Sequence, residues 1–106
     1  MRRTERRRSR RVRMGQALRV RPSNPKDPQF EEVGTSKDVS QDGVSFVTKL
    51  TVYYEGLRVF LTLPYHGPTS QQNYHYLGQV VRVEDLGNNH SRIAIKFLSS
   101  ATKSGT

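Results

Sequence analysis

The stretch GLRVFLTLP (Gly56–Pro64) sets Leu57, Val59, Leu61 and Leu63 against Arg58, Phe60 and Thr62. A two-residue period places alternate side chains on opposite faces of an extended chain, the pattern of a strand with one buried face. The period recurs on both sides of this stretch. QALRVR (Gln16–Arg21) puts Leu18 and Val20 together, and GVSFVTKL (Gly43–Leu50) groups Val44, Phe46 and Leu50. YLGQVVRVED (Tyr76–Asp85) groups Leu77, Val81 and Val83, and RIAIKF (Arg92–Phe97) groups Ile93, Ile95 and Phe97. A further strand is read near Glu32–Lys37, ahead of the turn DVSQDG (Asp38–Gly43). Turn signals separate these runs: SNPKDP (Ser23–Pro28) carries two prolines, and LGNNH (Leu86–His90) suits a hairpin. The sum is about six short strands and no long amphipathic helix. The expected fold is all-β, a small six-stranded antiparallel β-barrel, because closure removes exposed strand edges.

The bulk properties narrow the function. A chain of 106 residues holds one modest core. It has no cysteine, which excludes disulfides, thiolate nucleophiles and thiolate zinc sites. No run approaches the roughly 18 apolar residues of a spanning helix, so no membrane insertion is expected. The N-terminal arginines have no apolar segment behind them, unlike an export signal, and a cytoplasmic location is expected. Residues 1–21 hold ten arginines and one acid, Glu5, and so carry the whole net charge of +9. Residues 22–106 balance eight basic against eight acidic side chains. Charge gathered on one arm points to an anionic partner met by that arm.

Signs of catalysis are missing. His66, His75 and His90 fall in apparent loops without metal-ligand spacing, and no nucleophile elbow, phosphate loop or paired carboxylates are evident. The chain is read as not an enzyme, with no metal and no cofactor. Asn89–Ser91 matches a glycosylation sequon but is read as a turn. Phe60, Tyr53, Tyr54, Tyr74 and Tyr76 are read as core or rim residues.

Two features carry chemistry. In DVSQDG, Asp38, Ser40 and Gly43 have D-x-S-x-x-G spacing. Such residues build turns for local reasons, since Asp and Ser bond the nearby backbone and Gly supplies unusual conformations. They also present a carboxylate that cannot attract phosphate but accepts from the N–H donors of a guanine edge. The arginine run TERRRSRRVRM (Thr4–Met14) supplies the opposite requirements. Guanidinium forks bind phosphate bidentately and guanine through O6 and N7. A compact guanine dinucleotide satisfies both halves better than a mononucleotide or a generic duplex does.

Arg7-x-x-x-Arg11 followed by VRMGQALRV, and then DVSQDGVSF, resembles the paired signature of the PilZ domain family. The likeness continues through EGLRVFLTLP and GQVVRVEDLGNNHSRIAIKF and covers roughly residues 5–98. The resemblance implies a six-stranded PilZ-like split barrel that binds cyclic di-GMP, a bacterial second messenger. By it, Arg7 and Arg11 clamp phosphates and guanine Hoogsteen edges, Asp38 and Ser40 meet a guanine, and Gly43 lets the backbone approach closely. Arg6 is an additional contact, at a place the family associates with a stacked pair of ligand molecules. Arg8 and Arg10 are secondary, and Arg6-x-x-x-Arg10 is an alternative register. Arg13 stands where the family commonly has an apolar residue or proline, and no helix is expected after the last strand.

The chain is accordingly divided into a flexible clamping arm (1–14), a barrel (15–98) and a disordered tail (99–106). The expected function is a non-enzymatic cyclic di-GMP receptor, a monomer or weak dimer, whose arm closes over the ligand and so signals to an unidentified effector protein. The alternatives are a nucleic-acid-binding protein using the basic arm, and a PilZ-like interaction module that binds no ligand. Nucleic acid is the weaker of the partners, because the strands lack an aromatic platform for bases.

Overall fold

The computed structural model describes residues 15–103, and the arm assigned to residues 1–14 lies outside them. Seven strands follow in chain order: β1 (Ala17–Pro22), β2 (Glu32–Val39), β3 (Gly43–Thr48), β4 (Arg58–Thr62), β5 (Tyr74–Gly87), β6 (His90–Phe97) and β7 (Thr102–Lys103). The first six pair antiparallel in the cyclic order β4-β1-β2-β3-β6-β5, and the β4–β5 pairing closes the ring. The expected six-stranded barrel is therefore present.

Alternation decides the interior. Leu18 and Val20 of β1, Val44 and Phe46 of β3, Val59 and Leu61 of β4, and Ile93 and Ile95 of β6 are all buried in one cluster. Leu57 and Leu63 extend the β4 row into the flanking loops. Each such side chain contributes about 1.5–3 kcal/mol on full burial. At one end of the barrel Tyr53 packs edge-on between Phe30 and Phe46, with ring centroids 5.1 and 5.6 Å away. There the Tyr53 hydroxyl donates to Glu32, and Thr48 Oγ1 donates to the same carboxylate at 2.7 Å. At the opposite end of β6, Phe97 stacks on Tyr76 at 4.3 Å.

The hairpin between β5 and β6 turns through Asn88 and Asn89, both at positive φ, with Gly87 paired to His90. Two consecutive left-handed residues match the natural twist of paired strands, which explains LGNNH as the turn.

Several expectations are corrected. Leu50 lies beyond the end of β3 and is exposed, because the strand stops at Thr48. Asp38 and Val39 belong to β2 rather than to the turn, which is confined to Ser40–Asp42. In β5 the buried valine is Val80 and not Val81, which is 49% exposed. A bulge between Val80 and Arg82 shifts the phase there. His75 is a strand residue, hydrogen-bonded through Nδ1 to Thr62 Oγ1 at 3.0 Å. Phe60 is neither core nor rim, but half exposed on the outer wall of the barrel. Within the stretch assigned to the tail, Ser99 Oγ accepts from Leu77 N at 2.9 Å, and β7 pairs with Tyr74 and His75 of β5. The β5 backbone beyond the reach of β6 offers free hydrogen-bonding groups, and the tail takes them.

Candidate functional site

A groove of about 640 Å³ lies on the outer wall where β2, β3, β6 and β5 run side by side. Its floor follows from the register. Asp38 pairs with Ser45, Ser45 with Ala94, and Ala94 with Arg82, so four residues on four strands form one transverse row. Ser45 and Ala94 are small and leave the middle of the row open. Asp38 and Arg82 stand at its ends, three strand spacings or about 14 Å apart. Lys96 and Arg92 flank the row on β6, paired with Gly43 and Val47 of β3.

Two irregularities put the charged ends there. In β2, Ser36 is buried, so unbroken alternation would turn Asp38 inward as well. A bulge between Ser36 and Asp38 adds one residue, Lys37, and brings Asp38 opposite the outward Ser45. In β5, Gly78 and Val80 face inward, and alternation would bury Arg82. The bulge at Val81 turns Arg82 outward, opposite Ala94. Bulges re-aim side chains in this way, and here two of them act on opposite ends of the same row.

The turn beside the row is tightly fastened. Ser40 N donates to Gly43 O at 2.9 Å, and Ser40 Oγ accepts from Asp42 N at 3.2 Å. Phe97 N donates to Asp42 O at 2.8 Å, which stitches the turn to the end of β6. A Cβ on Gly43 would lie 2.1 Å from the carbonyl oxygen of Ile95, so only glycine lets β3 and β6 pair here. Ser40 and Gly43 thus have structural duties that account for their presence. The Asp38 carboxylate has no hydrogen-bond or ion-pair partner among the described residues, and it lines the groove.

The structure brings Asp38, Ser40 and Gly43 together at one side of the groove. Arg6, Arg7, Arg8, Arg10 and Arg11 lie outside the described residues. Sequence reasoning missed Ser45, Arg82, Arg92 and Lys96. The reading that set Val81 and Val83 inward already left Arg82 outward, but its place in one row with Asp38 depends on strand pairing that the sequence does not show. Among the described residues no cluster of His, Asp or Glu could hold a metal ion, and no helix is long and apolar enough to cross a membrane.

The barrel, the D-x-S-x-x-G turn and a charged outer groove define a class of small β-barrel binding domain. The PilZ domain model matches residues 5–104, and the chain belongs to the PilZ domain family. That family comprises binding and adaptor modules that are generally non-enzymatic and generally receptors for cyclic di-GMP. Among solved structures, the Bacillus subtilis inhibitor of motility MotI/DgrA is similar, with a TM-score of 0.59 and 19% sequence identity. The alignment covers 93% of this chain and 46% of that one, so the present chain spans just under half of that protein's length. No curated protein matches the chain.

Proposed function

We propose that this chain is a non-enzymatic cyclic di-GMP receptor whose ligand lies across the outer groove between Asp38 and Arg82. The observation that carries the reading is the Asp38 carboxylate, which has no partner among the described residues and is turned outward by a bulge onto a floor of small residues. The groove's volume falls within the roughly 300–1,000 Å³ usual for small-ligand sites. A carboxylate at one end accepts from guanine N–H groups. Arg82, Arg92 and Lys96 offset the dianionic charge from the other side, and Arg82 adds a planar face on which a base can stack.

On this reading the N-terminal arginines complete the site. Arg7 and Arg11 cross the phosphates and guanine Hoogsteen edges, with Arg6 as a further contact to a second, stacked ligand molecule. Closing the arm over the groove alters the surface offered to a downstream protein, and that change is the output. Ordering a charged arm costs conformational entropy, which charge-assisted hydrogen bonds of about 1.5–3 kcal/mol each offset.

Calorimetric titration with cyclic di-GMP, with cyclic di-AMP as control, tests the proposal. Saturable binding that Arg7→Ala, Arg11→Ala and Asp38→Ala each weaken is the expected result. Binding that tracks only ionic strength and ignores Asp38 would favour a nucleic-acid-binding arm. Absence of binding would leave the chain a PilZ module that works through protein contacts alone.

A further inference from the structure

A second groove, of about 320 Å³, lies on the part of the wall formed by β1, β4 and β5. Its centre is Phe60, which is 49% exposed in mid-strand. The register places Arg21 on one side of Phe60 and Leu77 on the other. The neighbouring row holds Thr62 and His75, joined by their hydrogen bond, and Ser99 closes the groove toward the tail. An aromatic ring half in water on a rigid strand is an exposed apolar anchor, and apolar surface rimmed by polar groups marks contact sites.

The outward charges on these three paired strands are of one sign, while Glu31 and Asp27 lie on the loop before β2. Across the paired stretch of β1, β4 and β5 the outward positions carry Arg19, Arg21 and Arg58 and no carboxylate. Arg19 is already neutralised, 3.5 Å from Glu31 and with its guanidinium 5.1 Å over the Tyr65 ring. Arg21 and Arg58 have no ion-pair partner among the described residues. A second copy of the chain fits poorly, since the same face of that copy brings further arginines and no outward carboxylate to receive these guanidiniums. Phenylalanine beside arginine is instead a composition enriched at interfaces with other proteins.

We propose that this face docks a protein segment that presents an apolar side chain between carboxylates. The apolar side chain packs on Phe60 and Leu77, and the carboxylates meet Arg21 and Arg58. The site is separate from the groove at Asp38 and stands whether or not that groove binds a nucleotide. The two grooves nevertheless share a wall, because Phe97 lines the first, Tyr76 lines the second, and their rings are stacked.

The probe is a blocked pentapeptide with a central leucine flanked by aspartate and glutamate, titrated into the full chain while backbone amide shifts are followed. One control peptide carries lysine at the four acidic positions, and another replaces leucine with serine. The expected result is a set of shifts at Arg21, Phe60 and Leu77 with the acidic leucine peptide. Phe60→Ser, Arg21→Glu and either control peptide should weaken them at least about tenfold. Both variants alter exposed side chains, and matching thermal melts confirm that they fold. Shifts confined to the Asp38 groove, equal shifts with the lysine peptide, or indifference to Phe60→Ser would overturn the proposal. So would a dimer in sedimentation equilibrium that Phe60→Ser dissolves, which would assign the face to a second copy. Cyclic di-GMP titration of Phe60→Ser, expected to match the wild type, keeps failure of this proposal distinct from failure of the nucleotide reading.

Discussion

Asp38 and Gly43 share one motif but answer to different constraints. Gly43 is dictated by the Ile95 carbonyl oxygen, which occupies the space any side chain would need. Gly43→Ala should therefore destabilise the barrel by about 1–3 kcal/mol, the usual cost of overpacking, measured as a lower denaturation midpoint with an unchanged slope. Asp38 has no such structural partner among the described residues. Asp38→Ala should leave stability within about 0.5 kcal/mol of wild type, as surface changes do. It should weaken cyclic di-GMP roughly ten- to hundredfold, the worth of a hydrogen bond to a charged group. The pair of variants separates fold from binding within one turn.

At the scale of elements, the strands were legible because a two-residue period needs no tertiary information. Leu18 and Val20, Val59 and Leu61, and Ile93 and Ile95 are buried as alternation requires. Alternation failed at the bulges. An inserted residue such as Lys37 or Val81 looks like any other in sequence, and only the partner strand reveals that it is unpaired. That is why Leu77 and Val81 were grouped with Val83, although only Val83 packs against the core, and why nothing in the sequence placed Arg82 in one row with Asp38. The pairing of Thr102 and Lys103 with β5 was also hidden, because it depends on backbone groups that β6 leaves unpaired. Loops show a further case in Asn73, which is 1% exposed. Its Oδ1 accepts from His66 N and its Nδ2 donates to Gly67 O, both at 2.7 Å. Asn73→Ala leaves both backbone groups without that partner and should cost about 1–3 kcal/mol, with faster amide exchange at His66 as the local signature.

The molecule as a whole combines a balanced barrel with a strongly basic arm, and its stability and its binding should respond to different variables. Burial, and next the bond to Glu32, raise the Tyr53 hydroxyl above the ordinary tyrosine range. The unfolded chain then releases the Tyr53 proton first, so this group's contribution to stability is complete below about pH 10 and falls above it. The loss is about 1.4 kcal/mol per pH unit for that one proton. Tyr53→Phe should make the alkaline limb of a stability–pH curve shallower, and an unchanged limb would mean that other groups control it. Isothermal titration of cyclic di-GMP into wild type and Asp38→Ala under identical salt decides whether the outer groove is the binding site. A receptor should show saturable binding by the wild type and a loss of at least about tenfold in the variant, which should still melt like the wild type. Equal affinity in the two proteins would contradict that assignment.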